Sequence, residues 1–356
     1  MTKLLAFYLP QYHTFPENDE WWGKGFTEWT NVKRAEKCFR GHNQPRVPLD
    51  NNYYCLLDEN DIKHQMELAK KFNVYGFCYY HYWFNGKLLM EKPLEKIRQM
   101  EQKIPYCMCW ANEPWTRAWD GKNKEVLIGQ EYGGKKEWEK HIEYLSQYFN
   151  DEYYIKIDGK PLLVIYRTNN IPNCDEMFRY WKEKCREKGF EDLYIVEERN
   201  SFQKEKSSKQ SDATLDFEPM YTMDYCRNFF QLGYDKIRRG MFNFITKNEK
   251  LLYDYDMLWK IMIKRKYDTD KTKRFLGAFV DWDNTARRGK KGTIVLKSTP
   301  EKFEKYLKEQ KDKAEKMHSE FIFVNAWNEW AEGTYLEPDE KNQYAYLEAV
   351  KNVFGK

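Results

Sequence analysis

Short apolar runs alternate along this chain with longer segments in which apolar residues recur at every third or fourth position. The runs Leu162–Tyr166 and Phe321–Asn325 are apolar without alternation, which is typical of strands buried on both faces of a parallel sheet. Glu301–Met317 carries one apolar stripe, with Lys and Glu outward, as an amphipathic helix does. The pattern predicts strands at Leu4–Leu9, Val74–Tyr80, Tyr106–Trp110, Leu162–Tyr166, Leu193–Glu197, Ala213–Phe217, Phe275–Val280 and Phe321–Trp327. It predicts helices at Asp61–Phe72, Glu137–Phe149, Asp175–Lys188, Leu251–Ile263, Glu301–Met317 and Tyr344–Val353.

About eight strands that alternate with helices in a chain of 356 residues indicate an α/β fold of the (β/α)8 TIM-barrel type. A doubly wound parallel sheet is the alternative. We expect a single domain over residues 1–356, because no Pro-, Gly- or Ser-rich linker and no internal repeat interrupts it. Residues 10–60 form a long insertion after the first strand, and we expect this aromatic segment to cap the barrel mouth. The polar stretch Ser201–Asp212 is predicted to be a mobile loop.

Aromatic residues make up 17% of the chain, more than a core alone usually requires. Aromatic faces stack on the C–H faces of sugar rings, on bases and on cations. The formal net charge of +4 is small against 60 basic and 56 acidic residues, so it gives no reason to propose nucleic acid or an anionic membrane as partner. Sugars are therefore favoured, and a large aromatic-packed core is the competing interpretation.

The sequence also bears on the compartment of the protein. Its eight cysteines form no CxxC pair, which indicates reduced side chains and not a disulfide frame or a zinc site. The first ten residues do not resemble a signal peptide, and no apolar stretch approaches the roughly 20 residues of a membrane span. We expect a cytoplasmic protein without a membrane span, and peripheral membrane contact stays open.

Tryptophan is concentrated where the predicted strands end. Only Trp138, Trp181 and Trp259 lie on predicted helices. The active sites of barrels form at the carboxyl ends of the strands, so this concentration favours a cleft lined by stacking platforms. The tryptophans of the strand-end segments are Trp21, Trp22, Trp29, Trp83, Trp110, Trp115, Trp119, Trp282, Trp327 and Trp330.

Two carboxylates in the last strand-end segment are the candidate catalytic residues. Cleavage of a glycosidic bond needs a proton donor for the leaving oxygen and a second carboxylate as nucleophile or base. Glu329 and Glu332 lie just past a predicted strand, before a turn at Gly333, so both can face one pocket. The alternative is that one of them only pairs with an arginine, namely Arg117, Arg287 or Arg288.

Other strand-end residues are candidates for binding. Asp281-Trp-Asp283 is similar to the Asp-x-Asp pattern that holds a metal and a nucleotide-sugar diphosphate, but in a barrel we expect it to bind sugar hydroxyls or to position Arg287 and Arg288. No dinucleotide fingerprint, phosphate loop or metal triad is present in the sequence, so we expect no cofactor and no metal. The predicted substrate-binding residues are Tyr8, Gln11, His13, Trp22, Glu28, Trp29, Tyr80, His81, Trp83, Trp110, Asn112, Glu113, Trp115, Asp281, Trp282, Asp283, Trp327, Asn328 and Trp330.

Long motifs throughout the chain resemble the WbsX-type family. Its members are described both as glycosyltransferases of cell-surface polysaccharide synthesis and as glycoside hydrolase family 99-like. The motifs are Phe7-Tyr-Leu-Pro-Gln-Tyr-His13, Trp21-Trp-Gly-Lys-Gly-Phe-Thr-Glu-Trp-Thr-Asn31, Tyr75-Gly-Phe-Cys-Tyr-Tyr-His-Tyr-Trp-Phe84, Cys109-Trp-Ala-Asn-Glu113, Asp283-Asn-Thr285 and Asn325-Ala-Trp-Asn-Glu-Trp-Ala-Glu-Gly333.

A more distant likeness is to the endo-α-mannosidases of glycoside hydrolase family 99, which are (β/α)8 barrels. Their Asn-Glu-Trp-x-Glu-Gly-Thr motif matches residues 328–334. The resemblance implies that Glu329 acts as base on the sugar's own 2-hydroxyl, giving a 1,2-anhydro sugar, and that Glu332 is the general acid and then base, with retention of configuration. The N-terminal motifs do not match the mannosidases, so mannoside specificity is not implied.

These observations leave three functions open, each with a carbohydrate partner. The first is a retaining glycosidase-like enzyme that acts on an oligosaccharide or on a cell-surface or complex polysaccharide. The second is a glycosyltransferase of capsule or O-antigen (lipopolysaccharide) biosynthesis. It would use a nucleotide- or lipid-linked sugar, and Lys24, Arg117, Arg287 and Arg288 are the candidates to hold its diphosphate. The third is a noncatalytic glycan-binding barrel.

Overall fold

A closed barrel of eight parallel strands forms the centre of the molecule. The computed structural model describes residues 1–117, 125–247, 249–267 and 272–355. Trp119, one of the strand-end tryptophans, lies outside the described residues. The barrel strands are β1 (Lys3–Tyr8), β2 (Gly76–Phe84), β3 (Tyr106–Trp110), β4 (Lys160–Ile165), β5 (Tyr194–Arg199), β6 (Ala213–Asp216), β7 (Lys273–Phe279) and β8 (Phe321–Asn325).

Each strand pairs in parallel with its neighbour in the sequence, and β1 pairs with both β2 and β8, which closes the barrel. All of the eight predicted strands are present, and the predicted (β/α)8 TIM barrel is confirmed. The doubly wound alternative is wrong, because an open sheet has two edge strands, whereas each of these eight strands pairs on both sides. Parallel pairing buries both faces of the strands, which explains their uninterrupted apolar runs.

Helices surround this barrel, and in the described part of the chain they are α1 (Pro16–Trp22), α2 (Glu28–Arg34), α3 (Glu59–Lys71), α4 (Glu91–Gln99), α5 (Lys135–Phe149), α6 (Cys174–Glu187), α7 (Met220–Tyr225), α8 (Phe229–Thr246), α9 (Tyr255–Lys264), α10 (Thr285–Arg288), α11 (Pro300–Lys316) and α12 (Ala345–Phe354). The predicted helix Leu251–Ile263 is wrong in its first turn. Leu251–Asp254 is a strand that pairs with Thr293–Leu296, and the side chain of Asp254 then caps α9 by accepting from the Met257 amide at 3.1 Å.

The connection between β5 and β6, residues 200–212, contains no helix, as the polar sequence predicts. The predicted mobility is not reflected in its contacts, because this loop is tied to the barrel by the carboxylate of Glu197. That carboxylate accepts hydrogen bonds from the amides of Ser207 and Ser208, at 2.7 and 2.8 Å, and from the hydroxyl of Ser211 at 2.5 Å. Glu197 is fully buried, so these bonds replace the water that it lost.

Aromatic rings fill the barrel interior. Phe7 of β1 lies 5.5 Å from Tyr80 of β2, 5.2 Å from Phe217 and 5.8 Å from Phe323 of β8, measured between ring centroids. Tyr80 and Phe217 also line the cavity above these rings. The packed interior therefore supports a rigid floor for a cleft at the carboxyl end of the strands.

Candidate active site

The cleft at the carboxyl end of the barrel consists of two adjoining cavities. The first has a volume of about 550 Å³, and the carboxylates Glu113, Glu329 and Glu332 are among its lining residues. The second has a volume of about 680 Å³ and is lined partly by the insertion that follows β1. Both cavities include Thr116 and Arg287, so they meet at these two residues.

Arg287 of α10 contacts three carboxylates at the junction of the two cavities. Its Nη1 lies 2.5 Å from Oε1 of Glu332, its Nη2 lies 3.4 Å from Oε2 of Glu329, and its Nε lies 2.9 Å from Oε1 of Glu28. The arginine side chain is only 7% exposed. The sequence alternative in which Glu329 or Glu332 pairs with an arginine is thus realised for both residues at once. This pairing leaves both carboxylates on the cleft wall.

Burial and crowding raise the pKa of both paired carboxylates. For Glu329 burial is the main cause, the charge of Glu332 adds to it, and Arg287 opposes it. For Glu332 burial again raises the pKa, and Arg287 is the strongest opposing influence. Two carboxylates this close cannot both ionise freely, so the pair retains a proton well above the ordinary glutamate range. Glu332 makes the shorter contact with Arg287, which favours the negative charge on Glu332 and the proton on Glu329.

Glu113, which follows β3, is a third titratable group in the cleft. Burial raises its pKa to about 7, although Arg167 lies 3.5 Å away and acts in the opposite direction. Arg167 also stacks over the ring of Phe202, with its guanidinium carbon 4.0 Å from the ring centroid. This wall therefore combines a carboxyl group, a guanidinium and an aromatic face, which suits binding of polar rings.

The segment with the carboxylate pair is fixed by its own side chains. Asn328 accepts a hydrogen bond from the amide of Leu9 at 2.8 Å and donates to the carbonyl of Leu9 at 3.0 Å, so it joins the end of β8 to the end of β1. Gly333 has a φ of +64°, and a Cβ there would lie 2.8 Å from the backbone oxygen of Asp283. A glycine is therefore required for the turn that returns Glu332 to the cleft.

The insertion after β1 contacts the two aspartates that follow β7. Nη2 of Arg46 lies 2.8 Å from Asp281, and Nε2 of His42 lies 2.8 Å from Asp283, which also accepts from Gln44 at 3.0 Å. Burial raises the pKa of Asp283, but His42 and Arg46 outweigh it and lower the pKa to about 2. Both aspartates therefore contact the insertion, and neither is among the residues that line the two cavities.

The predicted site residues divide into two groups by position. Nine of them line the cleft: Gln11, Trp22, Glu28, Tyr80, Glu113, Trp115, Trp282, Glu329 and Glu332. The structure buries the others beneath or beside it: Tyr8, His13, Trp29, His81, Trp83, Trp110, Asn112, Asp281, Asp283, Trp327, Asn328 and Trp330.

Strand alternation explains several of the buried positions. The apolar pattern predicts that the second strand ends at Tyr80, but β2 continues to Phe84. Successive side chains of a strand point to opposite faces, so Tyr80 and Tyr82 reach the cleft while His81 and Trp83 point toward the helices. Trp83 stacks on His141 of α5 with centroids 4.5 Å apart, and Nε2 of His81 lies 2.9 Å from Nε2 of His141.

Cleft residues that the sequence did not single out include Tyr82, Tyr166, Arg167 and Phe202. Tyr82 is two positions after Tyr80, so a strand predicted to extend to Phe84 would have placed both side chains on the same face. The residues next to Arg287 in the sequence do not indicate its role, because its partners Glu28, Glu329 and Glu332 are far away in sequence.

The fold is similar to those of carbohydrate enzymes of known structure. A solved structure described as a glycoside hydrolase-like protein has a TM-score of 0.59 and 12% sequence identity, covering 99% of this chain and 94% of that chain. A GH99 endo-alpha-mannosidase from Bacteroides thetaiotaomicron, in complex with BIS-TRIS-Propane, has a TM-score of 0.56 and 13% identity, covering 100% and 97%. At this identity the likeness shows the barrel fold alone.

Relatives in sequence align with nearly the whole of this chain. Two proteins from Xanthomonas campestris pv. campestris, each named "Uncharacterized protein WxcX", are 35% identical over 358 residues and 33% identical over 365 residues. Each alignment covers 99% of this chain and 50% of the relative, so the chain spans about half the length of these curated relatives. The profile of the family described as "Glycosyltransferase WbsX" matches residues 4–350, which confirms the resemblance in the motifs: the chain belongs to the WbsX glycosyltransferase family.

Proposed function

We propose that this protein is a carbohydrate-active enzyme that acts on a glycosidic bond of a cell-surface or complex polysaccharide with retention of configuration. The observation that carries the proposal is the pair Glu329 and Glu332, held on one arginine in a cleft at the carboxyl end of a barrel. Aromatic rings and the buried indole nitrogen of Trp282, which has no acceptor among the described residues, line the same cleft. Sugar rings need both surfaces, since they present C–H faces and hydroxyls.

The first chemical step uses the substrate's own hydroxyl. Glu329 removes the proton of the 2-hydroxyl, O2 attacks C1, and a 1,2-anhydro ring forms as the glycosidic C1–O bond breaks. Glu332 gives its proton to the departing oxygen. This division of roles needs one ionised and one protonated carboxyl group. Two carboxyl groups with raised pKa values that share one proton can provide both forms.

The second step restores the enzyme. Glu332, now ionised, takes a proton from water or from a sugar hydroxyl, and the oxygen so activated attacks C1. The C1–O2 bond of the anhydro ring breaks, and O2 recovers its proton from Glu329. Two inversions at C1 give net retention. The same residues serve hydrolysis when water is the acceptor and transfer when a sugar is the acceptor.

For these roles, binding of the substrate must move the shared proton from Glu329 to Glu332. In the free cleft the shorter contact of Arg287 favours the charge on Glu332, whereas the first step requires it on Glu329. A glycosidic oxygen next to Glu332 accepts a hydrogen bond, which favours the protonated form of that residue. A 2-hydroxyl next to Glu329 donates one, which favours the ionised form there.

The roles of Glu329 and Glu332 can be distinguished with substrates whose leaving groups differ in their need for a general acid. Surface polysaccharides and glycosyl fluorides of common hexoses serve as probes, because fluoride departs without a general acid. Glu332→Gln is expected to lose about 10³-fold on the polysaccharide, to retain its first step on the fluoride and to gain turnover with added azide. Glu329→Gln is expected to lose activity on both probes. Thermal unfolding of each variant serves as the folding control.

A 2-deoxy-2-fluoro sugar fluoride tests the intermediate. Without a 2-hydroxyl the proposed first step cannot occur, so we expect neither turnover nor a covalent adduct in intact-protein mass spectrometry. A glycosyl adduct on Glu329 would instead indicate a carboxylate nucleophile. Near-normal polysaccharide turnover by Glu332→Gln would contradict the proposal as a whole, as would product of inverted configuration in proton NMR spectra.

The family description supports a second candidate, a glycosyltransferase of surface-polysaccharide synthesis that uses a nucleotide- or lipid-linked sugar. Arg288 is exposed on the cleft wall, where it is available to a diphosphate, whereas Arg287 is occupied by carboxylates. Turnover only with a nucleotide sugar, lost in Arg288→Ala, would decide for this candidate. A noncatalytic glycan-binding barrel remains the third alternative, and it predicts glycan binding that Glu332→Gln leaves unchanged without turnover of any probe.

A further inference from the structure

The outward face of α8 is apolar, although the helix lies on the molecular surface. Phe230 is 83% exposed, Ile237 67% and Phe244 87%, and Tyr234 and Met241 are also exposed. These residues are three or four positions apart, so they form one stripe along the helix. We call this stripe, Phe230 to Phe244, the α8 apolar face. Exposed surface of this extent on a folded protein marks a site of interaction.

The inner face of α8 is polar, which inverts the usual pattern of a surface helix. Asp235, the one buried residue of this helix, lies 2.9 Å from Arg227 and 3.3 Å from Arg238. Asn243 donates to the carbonyl of Lys250 at 3.1 Å. A water-facing helix places its apolar residues against the protein body. The reversed orientation here leaves the stripe exposed on the surface formed by the described residues.

Exposed basic residues surround the α8 apolar face. Lys236 flanks the stripe on the helix itself, and Lys247 follows its last turn. Lys290 and Lys291 are exposed close to that end, because Lys250 donates through Nζ to the carbonyl of Gly289 at 2.8 Å. The small net charge of the whole chain, +4, conceals this local excess of positive charge. It is opposed in the same segments by the exposed Glu249.

The segment around Phe39 extends the same surface. Phe39 packs edge-to-face on Phe242 of α8, with centroids 5.0 Å apart, and the neighbouring Lys37 and Arg40 are exposed. Glu36 is exposed beside them. Apolar side chains ringed by Lys and Arg are the composition of helices that lie in the plane of an anionic bilayer. Two copies of this chain meeting through α8 would bring these like charges together, which disfavours a dimer.

We propose that α8 lies in the surface of an anionic lipid bilayer, with the α8 apolar face inserted among the acyl chains and the surrounding basic residues on the headgroups. Among the described residues, no helix is long and apolar enough to cross a membrane. Arg288, on the cleft wall, immediately precedes the segment that Lys250 contacts. Bound in this way, the barrel holds its cleft beside the headgroups.

Vesicle co-sedimentation tests the proposal with the full chain. The probes are vesicles of phosphatidylcholine alone and of phosphatidylcholine mixed with phosphatidylglycerol. We expect binding to the mixed vesicles that weakens with added salt, and little binding to phosphatidylcholine. The double variant Phe230→Glu/Phe244→Glu is expected to weaken binding at least about tenfold, because it places charge in the acyl region. Val126→Glu, at a residue outside α8 that is 57% exposed, is the control for replacing one exposed apolar residue by a carboxylate.

A second pair of variants tests the charges. Lys290→Glu/Lys291→Glu should weaken binding to the mixed vesicles, whereas Lys63→Glu/Lys70→Glu on α3 changes the net charge equally and should not. The proposal is overturned if wild-type protein does not bind the mixed vesicles, or if the phenylalanine variant binds them equally well. It is also overturned if sedimentation equilibrium shows a dimer that the phenylalanine substitutions dissociate. None of these measurements depends on enzymatic activity.

Discussion

At the residue scale, the proton shared by Glu329 and Glu332 depends on one positive charge. Arg287 lowers the pKa of both carboxylates, and burial raises it. Arginine suits this position because its planar fork reaches Glu28, Glu329 and Glu332 with separate nitrogens. A lysine is a point charge and cannot make these contacts together. In the proposed mechanism, Arg287 thus influences the charge state of the cleft without taking part in bond breaking.

Replacing Arg287 should move the alkaline limit of activity. Without its charge the pair holds its proton more tightly, so in Arg287→Met the alkaline limb of the kcat/KM profile is expected at higher pH than in wild type. We expect kcat to fall about a hundredfold, because the base is less often ionised. Arg287→Lys is the matched control and should show a smaller displacement of the limb in the same direction. An unchanged pH profile in Arg287→Met would contradict this account.

Trp83 is expected to matter for stability and not for substrate. It stacks on His141, and its indole nitrogen donates to Glu137 at 3.1 Å, on the side of β2 that faces the helices. Trp83→Ala should lower the free energy of unfolding by about 3–5 kcal/mol, measured by chemical denaturation, because it leaves a cavity. The KM of the folded fraction should stay that of wild type. A raised KM with unchanged stability would return Trp83 to the list of binding residues.

At the element scale, the strands were predictable because burial on both faces makes them apolar throughout. The end of β2 was not predictable. Its last residues include Tyr, His and Trp, and these residue types are typical of a binding cleft as well as of a strand. The helix α8 was missed altogether. Gly233 and Gly240 lower its helix propensity, and nothing local indicates that its apolar stripe faces outward. The insertion contacts the segment that follows β7, and these two parts of the chain are distant in sequence. The periodicity of apolar residues reports only on local structure and cannot predict such contacts.

Asp283 should stabilise the packing of the insertion against the barrel, because it contacts His42 and Gln44 of the insertion. The pKa of Asp283 is lowered to about 2 from 3.8, so its ionised form stabilises the folded state above about pH 4, and this contribution is lost as pH falls toward 2. Asp283→Asn is expected to cost about 2–3 kcal/mol of unfolding free energy at pH 7 and less at pH 3. The exposed Asp224 on α7 provides the control Asp224→Asn, with an expected change below about 0.5 kcal/mol. An equal cost for Asp283→Asn at both pH values would show that its charge is not what holds the insertion.

At the scale of the whole molecule, the barrel, the insertion and the described residues of the loop after β3 form one continuous cleft. The two cavities extend on either side of Arg287 and Thr116, and the carboxylate pair lies at their junction. If Glu329 and Glu332 act as proposed, the cleft continues past the reacting bond in both directions, which suits cleavage or transfer within a glycan chain. The position of the pair could be predicted from its motif, but the second cavity could not, because the insertion and the loop after β3 build it together.

The two-cavity cleft predicts that activity depends on the length of the glycan. Oligosaccharides of a polysaccharide substrate that span both cavities should have a lower KM than fragments that fill only the first. Trp22 lines the second cavity and is partly exposed, so Trp22→Ala should raise the KM of long oligosaccharides about tenfold by removing a stacking face. It should leave the KM of short fragments unchanged. Phe202→Ala, in the first cavity, is the matched control and should affect both lengths. If Trp22→Ala raised the KM of short and long substrates alike, the second cavity would not be a binding site for glycan.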